Sequence, residues 1–381
     1  MAYLRAVPVS LRVAGALLLV LAISGLSVLA MMGRAPSAPV AAASTSSPTA
    51  SPSPTATATP TAQVTPTAAP ATAVCPLNGV AIASAPPPDR PALVVQIENH
   101  PLARPARNLS SADLVVEATV EGDVTRFSAV FYCQPTIGLT GPIRSARYYN
   151  VDLWQELHGL TVAFGASGGA SRRFAAAGMP QINGISGSWS YFRRFGDAPA
   201  PHNLYGDIEE IRKATASGGS AELLARGAGT LRPPFAIDAH PTLPAGRAVS
   251  SVTIATNGYW RFGWTWDGAL GWWGRSDAGS VVRDAATGQP LTATSVVVQR
   301  ITESVVYGDP DPGGNPRRDL HLVGHGAGIL FVQGRAIPVR WSRPNAGSAT
   351  TWTYADGSPM VLPPGQIWWE LVPTGGEVSS S

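Results

Sequence analysis

Alternating apolar and polar residues predict a β-hairpin between residues 114 and 132. Every second residue of its first strand is apolar: Leu114, Val116, Ala118 and Val120. A period of two is the pattern of a strand with one buried face. Gly122-Asp123 then predicts a two-residue turn, and this turn would place Thr119 opposite Arg126 in the return strand.

This register predicts a charged face on the hairpin. Glu117, Glu121 and Arg126 would lie together, with the arginine diagonal to both glutamates. Two interpretations remain open: an ion-paired face in solvent, for which stability offers only about 0–1 kcal/mol per pair, or one wall of a site. The two glutamates would be about 13 Å apart along the strand. The paired carboxylates of a glycosidase need about 5–9.5 Å, so such a pair would have to include Glu98.

Polar clusters on both sides of the hairpin supply the other candidates. A buried strand predicted at 92–98 leads into Asn99-His100-Pro101, and a Gly141-Pro142 turn precedes Arg144 and a helix that starts near Asn150. We predict that the arginines and glutamates line one pocket. Its candidate catalytic residues are Glu98, Glu117, Glu121 and His202. Its candidate ligand-binding residues are Arg126, Arg144, Arg147, Asn99, His100 and Arg104.

A glycine-rich segment after the strand predicted at 161–164 matches the G-x-S-x-G pattern of hydrolase nucleophiles. Ser167 is its central residue. A chain with 40 glycines produces such a match easily, so an anion-binding helix start and a closely packed turn remain alternatives. His321 and His325 lack a third ligand nearby, and we predict no metal site and no cofactor.

The second half of the chain has the pattern of a mainly β structure. From residue 260 to residue 266, every second side chain is aromatic. Asp267-Gly268 then predicts a turn, and Trp272-Trp273 begins the return strand. Further strands are predicted at 294–301, 328–333, 337–341 and 366–372. The aromatic face is either core or a surface for stacking sugars.

The N-terminus predicts attachment to a membrane. Val13–Met32 is 20 residues long and carries no charge, which is enough to span a bilayer. An uncleaved anchor is favoured over a signal peptide, whose apolar core is usually about 7–15 residues. Ala, Pro, Ser and Thr make up 36 of the 40 residues of 35–74, a composition that cannot form a core. We expect a disordered stalk.

Charge and cysteine content narrow the possible partners. The chain has 27 Lys and Arg against 24 Asp and Glu, and Lys213 is its only lysine. With no basic run and no nucleic-acid module, binding of DNA or RNA is not expected. Cys75 and Cys133 lie beyond the predicted anchor, where a disulfide forms readily. Two free thiols are the alternative.

Several motifs, in this order, resemble the YerB-like family of bacterial envelope lipoproteins, a family without an assigned activity. They are Asn-His-Pro-x-Ala-Arg-Pro from Asn99, Ala-Asp-Leu-Val-x-Glu from Ala112, Glu-Gly-x-x-Thr-Arg from Glu121, Gly-Pro-Ile-Arg-Ser-x-Arg from Gly141, and Pro201-His202-Asn203-Leu204-Tyr205. The resemblance covers about residues 90–372. The chain departs from the family pattern at Ala106–Leu109. No cysteine follows the apolar stretch, so we expect a protein anchor rather than a lipid.

Together these features predict an α+β protein of the bacterial cell envelope. Its parts would be an anchor at 1–34, a stalk at 35–74, a mixed α/β domain at 75–240 and a β-rich domain at 241–381. One hypothesis is a protein that binds or scaffolds a cell-wall glycan or an envelope partner. The other is an enzyme that acts on an anionic glycan or a lipid-linked phosphate.

Overall fold

Strands predominate over helices in the folded part of the chain. The structure, a computed structural model, describes residues 73–134, 137–187, 189–256 and 260–381. The predicted anchor Val13–Met32 and nearly all of the predicted stalk lie outside these residues. None of the helices within them is both long and apolar enough to cross a membrane. The described residues belong to one compact unit.

The strands and helices are numbered here along the chain. The first eleven strands are β1 Ala73–Val74, β2 Ala81–Ile82, β3 Leu93–Glu98, β4 Leu114–Thr119, β5 Thr125–Phe131, β6 Leu139–Thr140, β7 Leu160–Ala163, β8 Gln181–Asn183, β9 Phe192–Arg194, β10 Leu204–Asp207 and β11 Ala236–Ile237. The helices are α1 Asn150–Leu157, α2 Gly168–Ala177, α3 Ile208–Ala216 and α4 Ser220–Ala228.

The second half is almost entirely strands. They are β12 Arg247–Ala248, β13 Ser251–Ala255, β14 Arg261–Asp267, β15 Trp272–Asp277, β16 Ser280–Val281, β17 Thr292–Ala293, β18 Ser295–Val306, β19 Arg317–His321, β20 Gly324–Val332, β21 Arg335–Arg343, β22 Thr351–Tyr354, β23 Val361–Leu362, β24 Ile367–Pro373 and β25 Glu377–Ser380.

A twelve-stranded sheet joins the two halves of the chain. Its main order is β12-β21-β20-β18-β24-β4-β5-β3-β7-β8, with β19 and β22 as additional neighbours. The late strand β24 lies between β18 and β4 and runs parallel to both. Both faces of β4 are buried because it is a central strand. The large sheet therefore contains strands from both sides of residue 240, where the sequence predicts a domain boundary.

A second sheet, of six strands, covers part of one face of the large sheet. Its main order is β16-β15-β14-β13-β25. The Trp264 ring lies 5.0 Å from Trp368 and the Trp273 ring 6.0 Å from Phe331, measured between ring centroids. These contacts place the predicted aromatic face in the core between the sheets.

The opposite face of the large sheet is covered by irregular segments and α1. Leu153 and Leu157 of α1 are buried there with residues of β4, β20 and β24. Cys75 and Cys133 belong to the same buried cluster and are joined by a disulfide, with their Cα atoms 5.7 Å apart. The bond connects the start of the folded part to the segment that follows β5.

The predicted register of the hairpin is wrong by one residue. Thr119 pairs with Thr125, and Ala118 pairs with Arg126. The turn contains three residues, Glu121–Asp123, and Gly122 at its centre is left-handed with φ 71°. The extra loop residue shifts the return strand by one position, and a shift of one moves every side chain of that strand to the other face.

Candidate functional site

The register of the large sheet distributes the predicted site residues over its two faces. Glu98 pairs with Arg126, so these side chains share one face. Glu117 pairs with Phe127 and points to the other face. We call the side of the sheet that carries Glu98 and Arg126 the first side. Contacts show that most of the predicted site residues lie there: Glu98, His100, Glu121, Arg126, Arg144, Arg147 and His202. The others connect to the second side: Asn99, Arg104 and Glu117. The sheet therefore separates Glu117 from the rest of the predicted pocket.

On the first side, the carboxylate of Glu98 lies between an arginine and a histidine. Its Oε1 is 3.0 Å from Arg144 Nε and 3.2 Å from His202 Nδ1. Neither nitrogen is aligned for a hydrogen bond, and Oε2 of Glu98 has no partner among the described residues. Glu98 is nearly buried, whereas Arg144 is about one-third exposed, with a side-chain exposure of 30%. The site thus reaches the surface through Arg144. We call Glu98, His100, Arg126, Arg144 and His202 the Glu98 cluster.

The two histidines of the Glu98 cluster stack on each other. Their ring centroids are 4.6 Å apart and the rings are inclined by 19°. Nδ1 of His100 accepts a hydrogen bond from the Leu102 amide, at 3.2 Å, so a neutral His100 carries its proton on Nε2. Burial and, after it, the charge of His202 lower the pKa of His100. The lowered pKa favours the neutral form of His100.

The edge of β3 determines where Arg144 lies. The Arg144 amide donates to Gln96 O at 2.9 Å, and the Glu98 amide donates to Pro142 O at 2.8 Å. Residues 141–144 therefore run along the end of β3 like a short antiparallel strand, and Ile143 bridges to Ile97. This pairing brings the arginine of the predicted turn to the glutamate at the end of the predicted strand.

Arg126 is the most unusual group of the cluster. Its Nη1 donates to Ser145 O at 2.7 Å, but Nε has no partner, and no described carboxylate oxygen lies within 4.0 Å of its guanidinium nitrogens. Burial and then the positive charge of Arg147 lower the pKa of Arg126 to about 9. A buried guanidinium without a carboxylate is costly, so this position favours an additional anion.

Glu121 anchors a neighbouring ion-pair network. Arg147 donates to both oxygens of Glu121, and its Nε–Oε2 distance is 2.7 Å. Arg317 Nη1 donates to Glu121 Oε1, also at 2.7 Å. Burial opposes ionisation of Glu121, but Arg147 outweighs it and lowers the pKa of Glu121 to about 2. Arg147 Nη1 also donates to Ser145 O, the acceptor of Arg126, so the two groups adjoin.

On the second side, Glu117 pairs with an arginine that the sequence patterns did not indicate. Arg275 Nη1 lies 2.6 Å from Glu117 Oε2, and its Nη2 lies 3.0 Å from Oε1. Glu370 stands beside Glu117 on the next strand and accepts from Arg275 Nη1 at 3.3 Å. The Arg275 guanidinium lies over the Phe262 ring, 3.8 Å from its centroid.

Asn99 and Arg104 extend this second network. Asn99 Nδ2 donates to Thr125 Oγ1 at 2.7 Å, and Thr125 donates to Glu117. Arg104 donates to Asn99 Oδ1 at 2.9 Å and lies 2.9 Å from Asp277 Oδ2. These contacts connect the two sheets, and they leave no free group on Asn99 or Arg104 comparable to the guanidinium of Arg126.

The G-x-S-x-G segment begins α2, and a carboxylate of the same chain occupies its start. Ser167 Oγ accepts from the Ala170 amide at 3.2 Å. Asp309 Oδ2 accepts from the Gly169 amide at 3.2 Å and from Tyr148 OH at 2.8 Å. The anion site that we considered at this helix start is therefore filled internally.

Among the described residues, one trio of metal-ligand side chains lies close enough to share an ion: Cys75, Asp113 and Cys133. Both sulfurs are already bound in the disulfide. Asp113 accepts instead from the Tyr132 and Cys133 amides, at 2.7 and 2.8 Å. Its carboxylate thus stabilises the bend after β5.

Comparison with known proteins places the chain in a family. Residues 77–221 match the family model "Protein of unknown function (DUF3048) N-terminal domain", and residues 250–369 match the corresponding C-terminal domain. The Bacillus subtilis (strain 168) protein described as "Putative lipoprotein YerB" is 30% identical over 300 residues, which cover 78% of this chain and 86% of that protein.

The crystal structure of the YerB protein from Bacillus subtilis has the same two-domain fold. The TM-score is 0.66 at 26% sequence identity, and the match covers 81% of this chain and 100% of the crystallised one. The N-terminal family model includes all the residues of the Glu98 cluster, and the C-terminal one includes β18 and β20 of the large sheet. The chain belongs to the YerB-like DUF3048 family.

Proposed function

We propose that this protein is an extracytoplasmic component of the bacterial cell envelope that binds an anionic group of a cell-wall glycan or of an envelope partner at the Glu98 cluster. The description of its Bacillus subtilis relative as a lipoprotein supports an envelope location. The apolar segment Val13–Met32 and the stalk after it support attachment at a distance from the membrane.

The mode of attachment differs from that of the relative in this proposal. Lipid attachment of a lipoprotein uses a cysteine, and the chain has only two. Cys75 and Cys133 are bonded to each other. The predicted transmembrane segment therefore takes the role of the lipid.

The observation that carries the binding function is the unpaired guanidinium of Arg126. Three arginines, Arg126, Arg144 and Arg147, stand against the two glutamates Glu98 and Glu121, and Glu121 is also paired with Arg317. The arginine in excess is also the most deeply buried of the three, where a missing counter-charge costs most. A phosphate or carboxylate that entered beside Arg144 would supply that charge and accept hydrogen bonds from a planar fork.

A second candidate function is catalysis on an anionic glycan or a lipid-linked phosphate. It is favoured by the contact between Glu98 and His202 together with the unengaged Oε2 of Glu98. A carboxylate beside an imidazole can accept and return a proton during a reaction. In that case the arginines would hold the substrate anion and Glu98 would act as the base.

The test is titration of the full-length protein in detergent with muropeptides and wall-polymer fragments released from purified cell walls. We expect saturable binding that Arg144→Ala weakens by about tenfold, the value of one charge-assisted contact of about 1.4 kcal/mol. Arg144→Lys should recover only part of it, since lysine keeps the charge and loses the fork.

Arg193→Ala is the matched control, because Arg193 forms an exposed ion pair with Asp207 on the neighbouring strand β10. It should bind like the unchanged protein. Mass spectrometry of the fragments after incubation separates the two candidates, since only an enzyme changes their masses. Equal affinities of the Arg144→Ala and unchanged proteins would overturn the proposed site.

A further inference from the structure

A groove opens in the large sheet where the neighbour of β18 is interrupted. Gln299 of β18 pairs with Gly328, and Thr302 pairs with His321. From one pair to the other is three residues along β18 but seven residues along the opposing segment, which consists of β19 and β20. The four additional residues form a wide bulge around Gly324, whose φ is 134°. Bulges of this kind open sheets at binding sites.

The bulge leaves an accessible space on the protein surface. A cavity of about 520 Å³ is lined by Arg300, Thr302, His321 and His325, among others. An adjoining cavity of about 360 Å³ adds Arg340 and Ser342, and the two share Trp341 and His325. We call these six residues, Arg300, Thr302, His321, His325, Arg340 and Ser342, the bulge groove.

Strand pairing arranges the polar side chains of the groove in rows. His325 pairs with Ser342, which pairs with Thr351 on the next strand. Ala327 pairs with Arg340, which pairs with Thr353. Hydroxyl groups, imidazoles and a guanidinium therefore lie side by side across three strands, about 5 Å apart from strand to strand.

The groove carries positive charge without an acidic counterpart. No aspartate or glutamate is among the residues that line the two cavities. Arg300 donates to the carbonyls of Thr374 and Gly376, at 2.8 and 2.7 Å, and burial lowers its pKa. Within the described part of the chain, neither Arg300 nor Arg340 forms an ion pair. An anion would thus meet two arginines whose charge is not neutralised.

A rigid floor keeps the groove open. Trp341 is buried, and its Nε1 donates to Arg300 O at 3.0 Å. Arg300 directly follows Gln299, the last residue of β18 that pairs with β20. Gly326 faces Trp341, and a Cβ at this position would lie 2.7 Å from the indole nitrogen. His321 in turn contacts the hydroxyls of Thr302 and Ser304. These contacts hold the lining residues without a ligand.

We propose that the bulge groove binds an anionic sugar or polyol chain. Arg300 and Arg340 lie on strands separated by β20, so their backbones are at least about 10 Å apart. Arg300 Nη2 is held by the carbonyls of Thr374 and Gly376, on the side of β18 that faces away from β21, so a chain with repeated phosphate or carboxylate groups suits the two arginines better than one small anion. The hydroxyl and imidazole rows suit the hydroxyl groups of such a chain. The groove offers no exposed aromatic platform of the kind that binds nucleic-acid bases.

This site is independent of the Glu98 cluster. None of its residues belongs to that cluster, and the strands that carry it, β18 to β22, are separated from β3 and β5 by β24 and β4. The proposal for the bulge groove can therefore be tested separately from binding at the Glu98 cluster.

The test uses the full-length protein in detergent and three polymers of similar length: poly(glycerol phosphate), polygalacturonate and neutral dextran. We expect the anionic polymers to bind and dextran not to bind. Binding should weaken as salt is raised, because the contacts are exposed charges. The tighter of the two anionic polymers identifies phosphate or carboxylate as the preferred group.

Variants locate the site. Arg340→Ala and Arg300→Ala should each weaken binding by about fivefold, which corresponds to about 1 kcal/mol. Arg335→Ala is the matched control, since Arg335 is an exposed arginine at the other end of β21 and does not line the groove. Arg144→Ala should also leave this binding unchanged.

Several outcomes would overturn the proposal. Dextran that binds as tightly as the charged polymers would remove the role of charge. Equal losses for Arg340→Ala and Arg335→Ala would place the binding elsewhere. Single-stranded DNA that binds as tightly as the anionic polymers would show an unselective polyanion surface rather than a site for sugar or polyol chains.

Discussion

The guanidinium of Arg275 binds both oxygens of Glu117 across the two sheets, at 2.6 and 3.0 Å, with each side chain 1% exposed. Arg275 belongs to the small sheet and Glu117 to the centre of the large one. Their contact places a fully buried ion pair at the junction of the sheets. Glu117, a candidate catalytic residue, therefore holds the two sheets together.

Replacement of Arg275 should strongly destabilise the protein. Arg275→Met leaves Glu117 charged and unpaired in the core, and loss of one member of a buried pair costs about 3–5 kcal/mol. The measurement is urea unfolding followed by circular dichroism. Arg261→Met is the control on the same sheet, because Arg261 forms an exposed pair with Glu377 and should contribute less than about 1 kcal/mol. Similar losses for both variants would contradict a special role of Arg275.

The two adjacent glutamates should respond differently to replacement. Burial and then Glu117 raise the pKa of Glu370 well above its ordinary value, which favours the neutral form of Glu370 in the folded protein. Glu370→Gln should then cost little, whereas Glu117→Gln should cost about 3–5 kcal/mol because it breaks the pair with Arg275. Equal costs for the two variants in urea unfolding at pH 7 would contradict a neutral Glu370.

The same pair predicts a pH dependence. A raised pKa in the folded state stabilises the protein below the ordinary glutamate pKa of about 4.3, and this contribution is lost as pH rises toward the folded value. The unfolding free energy of Glu370→Gln relative to the unchanged protein should therefore improve between pH 4 and pH 8. A constant difference across this range would disprove the raised pKa.

Glu121 should contribute stability with the opposite pH dependence. Its pKa of about 2 in the folded state lies below the ordinary value, so its contribution is present above about pH 4.5 and lost as pH falls toward 2. The shift corresponds to about 3 kcal/mol. Glu121→Gln should be destabilised by about that amount at pH 6, and the difference should shrink by pH 3. A loss that is the same at both values would exclude an ion-pair origin.

The disulfide should be a major source of stability. Cys75 and Cys133 close a loop with a sequence separation of 58, and the loop-entropy model gives about 4 kcal/mol for it. Peptide mapping without reduction should recover the two cysteines linked. The double variant Cys75→Ser, Cys133→Ser should unfold at correspondingly lower urea, and reduction should then have no further effect on it. Alkylation of both cysteines in the unreduced protein would argue against the bond.

Local patterns predicted much of the fold because they depend on neighbouring residues. Strands expected at 294–301 and 366–372 correspond to β18 and β24, and the helix expected from Asn150 is α1. The helix ends at a left-handed His158, with φ 53°. The geometry of the turn at Gly122 was not predicted correctly, and this turn sets the register of the whole return strand.

The site was only partly predictable because its partners come from distant segments. Local patterns were enough to suspect Glu98, Arg144 and His202, since polar residues near strand ends often meet. Arg275 and Glu370 gave no such signal. They reach Glu117 only because the small sheet covers the large one and because β24 inserts beside β4, and neither event leaves a local pattern.

The position of β24 also has a consequence for the order of events during biosynthesis. The strand that fills the middle of the large sheet, Ile367–Pro373, is synthesised after all the other strands of that sheet. Until it emerges, β4 and β18 lack their shared neighbour, and both edges remain open to incorrect pairing. The large sheet is therefore completed only after all its other strands have been synthesised.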